Sequence, residues 1–204
     1  MYGEVVNSDK GIVFTLATMP AATAVPSGTV VVVSDWRNTE WVSDGTYWLP
    51  RGGEQCIYAP DTKAYIGPIG VEAVFTLTIP SKFLSPNMEI GETHKSVKVG
   101  VSGTNTQALK LGGSGGTLVG YTIAFTAIAS RSVASVGAGS LSGGNLVFTG
   151  SLPGTTTADV GTNTNAFATH THAIASDLVL YLSANLASAL DTLQTRNIRV
   201  TIRG

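Results

Sequence analysis

Cysteine, charge and long apolar runs are all scarce in this chain of 204 residues. Cys56 is the only cysteine, which excludes an intramolecular disulfide. A lone thiol in an otherwise extracellular-looking composition fits a protein made in a reducing cytosol that acts elsewhere. Charged residues make up 12% of the chain, about half the usual share. The formal net charge is −1, and no basic run marks a nucleic-acid footprint, so no nucleic-acid partner is expected. The opening MYGEVVNSDKG has neither a basic region nor an apolar run, so no signal peptide is expected. The longest apolar runs, TVVVVS and DLVLYLS, are strand-sized and far too short to span a bilayer. A soluble protein without membrane insertion is expected.

Helical periodicity is nearly absent as well. ASVGAGSLSGG is too rich in glycine for a helix, and SANLASALDTLQ (183–194) suits at most a short helical turn. What is present is apolar content of 43%, ample for a core, together with 24 glycines and abundant Ser and Thr. Surfaces with so few charges commonly hide part of themselves against a partner, which points to an assembly. Short strands separated by turn signals predict an all-β fold, the pattern of a sandwich or a barrel. The strands are expected at 29–34, 72–80, 95–101, 117–125, 145–150, 178–183 and 197–203. The last sets Ile198, Val200 and Ile202 on one face and Arg199, Thr201 and Arg203 on the other.

Composition shifts near residue 72. All three tryptophans (Trp36, Trp41, Trp48) and Tyr47, Tyr58 and Tyr65 precede it, and Gly-Ser-Thr loops dominate after it. Two parts are therefore expected: a small β-module over 1–71 and an antiparallel β-sandwich over 72–204. Within the first, WVSDGTYW reads as a hairpin with a two-residue type I′ turn at Asp44-Gly45. That turn would set Ser43 opposite Thr46, Val42 opposite Tyr47 and Trp41 opposite Trp48, both indoles on one face.

The stretch TLATMPAATAVPSGTVVVVSDWRNTEWVSDGTYWLPRGG (15–53) resembles a small β-module of tail-fibre and related virion proteins of tailed bacteriophages. In those fibres such a module commonly precedes a C-terminal jelly-roll-like knob. Residues 72–204 are similar to that knob in FTLTIPSKFLSPNMEIGE, KLGGSGGTLVG and LASALDTLQTRNIRVTIRG. The resemblance implies a virion structural protein, a short tail-fibre or head-fibre component acting in assembly or host-surface attachment. It also implies a homotrimer that contacts other virion proteins and a host glycan or protein. Neither the long shaft nor the N-terminal anchor of a full fibre is expected, which favours a short appendage or decoration protein. Alternatives are a capsid decoration protein without a receptor role and a stand-alone carbohydrate-binding module.

No enzymatic role and no cofactor are expected. Gly112-Gly113-Ser114-Gly115-Gly116 matches the spacing of a nucleophile elbow, but a strand follows where a helix is required, so it reads as a β-turn. Glycoside cleavage needs two converging acids, and none occurs between Glu92 and Asp159. His170-Thr171-His172 would share one face of a strand. Some phage fibre tips coordinate iron through His-x-His repeats on a threefold axis, so the resemblance makes His170 and His172 metal candidates across such an axis only. The simpler expectation is a polar pair on a solvated strand, with His94 isolated at the surface. Trp36, Trp41 and Trp48, with Tyr47, suit either a module core or interface, or a sugar-stacking platform. The polar segment 153–166, with Thr156, Asp159, Asn163 and Asn165, suits an exposed binding loop, joined by SGTNTQ (102–107), or a solvated connector.

Overall fold

The structure is a computed structural model that describes residues 11–59, 62–65, 70–99, 105–125, 130–142, 145–150, 163–164 and 169–204. Its strands are β1 (Ile12–Phe14), β2 (Val30–Val33), β3 (Thr39–Ser43), β4 (Trp48–Pro50), β5 (Glu54–Tyr58) and β6 (Thr62–Tyr65). They continue with β7 (Gly70–Ile79), β8 (Glu89–Val99), β9 (Asn105–Leu111), β10 (Thr117–Phe125) and β11 (Ser130–Ser142). β12 (Asn145–Gly150), β13 (Asn163–Thr164), β14 (Thr169–Ala173), β15 (Leu178–Leu186) and β16 (Thr192–Arg203) complete the set. Two 3-10 turns, Ala22–Ala24 and Ser81–Phe83, interrupt them, and no α-helix occurs among the described residues. Among those residues, no helix is long and apolar enough to cross a membrane.

The chain is all-β and sandwich-like. A four-stranded sheet of order β1-β2-β3-β4 draws on residues 12–50; a five-stranded sheet runs β13-β10-β9-β15-β7, and a seven-stranded sheet runs β14-β12-β11-β8-β16-β5. β6 also pairs with β16. Residues 54–58 and 62–65, which composition groups with the tryptophan-rich segment, thus hydrogen-bond into the seven-stranded sheet. The first strand pairs parallel to the second, Ile12 opposite Val31, and the other ladders are antiparallel.

Period-two burial explains the individual strands. β9, NTQALKL, alternates strictly between buried and half-buried positions. β16 buries Ile198, Val200 and Ile202 and exposes Arg199 and Arg203 as its sequence predicts. Thr201 departs from that pattern and is buried, its register partner being Gly91. SANLASALDTLQ holds no helix: its ends extend β15 and β16, and the connection over 187–191 is one turn closed by the Asp191 N–H on the Ser188 carbonyl at 3.2 Å. Strand pairing on both sides outweighs the local helix preference of Ala and Leu. Buried side chains of all three sheets form one apolar cluster, including Val31, Trp41, Phe83, Leu109, Leu180 and Ile198.

The tryptophan hairpin has its indoles on one buried face, but its register differs from the type I′ expectation. Ser43 pairs with Trp48, Val42 with Leu49 and Trp41 with Pro50, so four residues form the loop. Asp44 causes the change. Its Oδ1 accepts the backbone N–H of Thr46 at 2.7 Å and of Tyr47 at 2.6 Å, and its own N–H donates to the Tyr47 carbonyl at 3.1 Å. Gly45 has φ 96, whereas Asp44 is not among the residues of positive φ, so only one residue of the pair enters the left-handed region that type I′ demands of both. Asp44→Ala should therefore lower unfolding free energy by about 1 kcal/mol while Asp44→Asn, which keeps the acceptor, stays close to wild type. Urea denaturation of the two variants measures the difference.

Candidate functional site

β8 turns a run of polar side chains into the sandwich. Glu92, His94, Ser96 and Lys98 are all buried, and each lies two residues from the next. His94 Nδ1 lies 2.7 Å from Glu92 Oε1, and its Nε2 lies 3.2 Å from Gln107 Oε1 on β9. Gln107 Nε2 donates to Thr195 Oγ1 on β16 at 2.8 Å, and Thr195 Oγ1 lies 3.3 Å from Ser96 Oγ. Farther along, Lys98 Nζ stands 3.4 Å from Asp191 Oδ2, both side chains 0% exposed. Asn105 Oδ1 accepts the Ala187 N–H at 2.9 Å. Charges removed from water must be matched to be tolerated, and this seam matches them across both sheets of the sandwich.

The seam corrects two expectations. His94 is an interior residue, not a surface one, and Asn105 and Gln107 of SGTNTQ are buried strand residues. In EIGETHKSVKV the even-numbered set Glu92, His94, Ser96 and Lys98 is the more polar, so hydropathy favours the opposite face for the interior. The one available signal was the spacing itself, a polar set of strict period two matched by Asn105 and Gln107.

His170 and His172 lie on β14 with ring centroids 5.9 Å apart and planes 23° from parallel, sharing a face as their spacing predicts. His172 Nε2–H donates to the Ser176 carbonyl at 2.9 Å. His170 sits against the turn that follows β9: a Cβ added at Gly112, where φ is +90, would stand 3.2 Å from His170 Cε1. Gly112 to Gly116 join β9 to β10 as a strand-to-strand turn, closed by the Gly116 N–H on the Gly113 carbonyl at 3.0 Å. Burial, and secondarily the charge of His172, hold the His170 imidazole below its ordinary value of 6.5. Among the described residues, no group of three or more His, Cys, Asp or Glu is arranged to hold a metal. Two imidazoles alone leave a transition-metal coordination sphere unfilled.

The tryptophans are core side chains in this chain. Trp41 and Trp48 are fully buried and Trp36 nearly so. Trp36 stacks on Trp41 at 5.8 Å, and Phe83 meets both, at 4.5 and 4.4 Å between centroids. Trp41 Nε1–H donates to Thr39 Oγ1 at 2.9 Å and Trp48 Nε1–H to the Pro20 carbonyl at 3.0 Å. Buried as they are, these indoles offer no stacking surface to a sugar. Tyr47 is half-buried and lines a cleft of about 200 Å³ with Ala22, Thr46, Lys82, Leu84 and Ile174. Asn163 lies on β13 opposite Ile123. Thr156, Asp159 and Asn165 lie outside the described residues.

No family model, curated protein or solved structure matches this chain.

Two tests follow from the geometry. Lys98→Met removes the ammonium beside a carboxylate with no exposure to water, and should cost about 3 kcal/mol in urea denaturation. The His170 proton is bound more weakly in the folded chain than in the unfolded one. Its contribution to stability is therefore fully present above the ordinary value of 6.5 and is lost as pH falls through the lower folded value. Thermal melts from about pH 8 to about pH 5 should show that decline, and His170→Asn should flatten it.

Proposed function

We propose that the chain is a bacteriophage virion structural protein: a short tail-fibre or head-fibre component, homotrimeric and non-enzymatic, that mediates assembly or attachment to the host surface. The observation that carries this reading is the resemblance of residues 15–53 to the small tryptophan-hairpin module of phage fibres. Its fold supports the reading: β1 to β4 form a sheet of their own, joined to an antiparallel sandwich through Phe83. A surface of few charges suits close packing around a symmetry axis or against a capsid lattice. A capsid decoration role uses the same features without a receptor. A carbohydrate-binding module is less favoured, because the three indoles are enclosed.

Light scattering of the purified protein should give three times the chain mass of 21.0 kDa. Immuno-electron microscopy with an antibody to the chain should decorate tails or heads of intact phage particles. A folded monomer at micromolar concentration would remove the trimer, and undecorated particles would remove the virion assignment.

A further inference from the structure

The strand registers give the sandwich two distinct ends. At one, Gly70 pairs with Leu186 and Asn105 with Phe125 in the five-stranded sheet, while Thr192 pairs with Val99 and Ser130 with Val97 in the seven-stranded sheet. The other end, at Ile79, Glu89 and Leu178, is the one that Phe83 ties to the tryptophan sheet. At the first end, β15 passes to β16 through Ala187 to Asp191. This turn is firmly held. The Ala187 N–H donates to Asn105 Oδ1 at 2.9 Å, the Leu190 N–H to Ser188 Oγ at 3.2 Å and the Asp191 N–H to the Ser188 carbonyl at 3.2 Å.

The polarity of the turn is inverted. Leu190 is 84% exposed, whereas its neighbour Asp191 is 0% exposed, 3.4 Å from the equally buried ammonium of Lys98. Transfer energies favour the reverse, with the carboxylate in water and the leucine inside. Ala187 and Ala189 are exposed as well, and Val71, second residue of β7, is 63% exposed. Among the described residues, exposed large apolar side chains are Leu190, Val71 and Val13, the last on β1 in the tryptophan sheet. A lone exposed leucine means little. A turn that withdraws its one charge and rigidly presents its leucine is prepared for an uncharged contact. In sequence, 66–69 (IGPI), 100–104 (GVSGT) and 126–129 (TAIA), which adjoin the other strand ends here, contain no ionisable residue.

We infer that this end of the sandwich is where copies of the chain meet around their symmetry axis, with Leu190 and Val71 covered by a second copy. The withdrawal of charge selects the occupant. A foreign protein can meet a charge with its opposite, whereas copies related by an axis bring every charge near that axis against its own image. A surface at an axis therefore has to be cleared of charge, and pairing Asp191 with Lys98 in the interior does this. The tryptophan sheet, tied to the opposite end, is left free for other contacts. The contact deepens the homotrimer reading and rests on it for the number of copies.

Sedimentation velocity of the full chain over a micromolar concentration series tests it. Wild type should self-associate, and Leu190→Glu should raise the concentration of half-association by about tenfold or more, because it sets a carboxylate of each copy against its image. Val13→Glu adds the same charge at the exposed valine of β1 and should associate like wild type. In a Cys56→Ser background, which removes the native thiol, Leu190→Cys should form a disulfide between copies on mild oxidation and Val13→Cys should not. That cross-link introduces no charge, so it decides the matter even if Leu190→Glu fails to fold. Unchanged association in Leu190→Glu, an equal loss in Val13→Glu, or no cross-link from Leu190→Cys would each overturn the contact. A wild-type trimer that persists in Leu190→Glu keeps the trimer and removes this contact. A wild-type dimer that Leu190→Glu dissociates keeps this contact and removes the trimer, and a wild-type monomer removes both.

Discussion

The requirement that one strand bury a carboxylate, an imidazole and an ammonium on a single face governs the sandwich. β8 can do so only where its neighbours bring the complementary groups. Gln107 is the joint: its oxygen faces His94 and its nitrogen donates to Thr195, so three strands from two sheets are fixed in register at one residue. A slip of one position would present Thr106 or Ala108 in place of Gln107 and leave His94 and Thr195 each short of a partner. Each such loss costs about 1–3 kcal/mol, a large share of a typical folding free energy. The seam therefore specifies pairing more than it adds strength, because well-packed apolar replacements of buried ion pairs are often as stable.

A short turn ties the first sheet to this sandwich, alongside the bond from the Glu40 N–H on β3 to Gln55 Oε1 on β5. Within Ser81–Phe83, the Ser81 N–H donates to Asp177 Oδ1 at 2.8 Å, Lys82 Nζ to the carbonyls of Leu16 at 2.6 Å and Met19 at 3.3 Å, and Phe83 sits against Trp36 and Trp41. Three consecutive residues thus engage three separate segments. This explains why all the tryptophans occur before residue 49: a sheet of four short strands has little interior of its own, and large rings give it a socket into which Phe83 fits.

How much of this was legible in the sequence depends on which force decided each element. Apolar runs such as Val30–Val33 and LVLYLS became strands because hydropathy and β-propensity agree there. The buried face of the tryptophan hairpin was legible from alternation, whereas its register was set by two hydrogen bonds to the Asp44 side chain that Asp-Gly statistics do not report. β11, SRSVASVGAGSLS, has small residues throughout and shows no strong pattern; its pairing with β8 and β12 makes it a strand. The seam was hidden for a different reason. Polar side chains are placed inside by partners far along the chain, and Gln107 to Thr195 spans 88 positions.

The inner seam and the outer cations are two sides of one irregularity. Arg196 pairs with Lys95 and Arg199 with Thr93, so the extra residue of β16 lies across from His94. Strict alternation from Thr195 onward would turn Asn197 and Arg199 inward against that imidazole and send Ile198, Val200 and Ile202 into water. The bulge resets the alternation: Asn197 faces out in a left-handed conformation, Ile198 faces in, and the apolar half of the strand resumes. Exposure of Arg196 and Asn197 side by side is thus a direct consequence of how the chain passes from a polar interior to an apolar one. The position of the bulge is dictated from within, because removing it would exchange three buried aliphatic side chains for an amide and a guanidinium in the core.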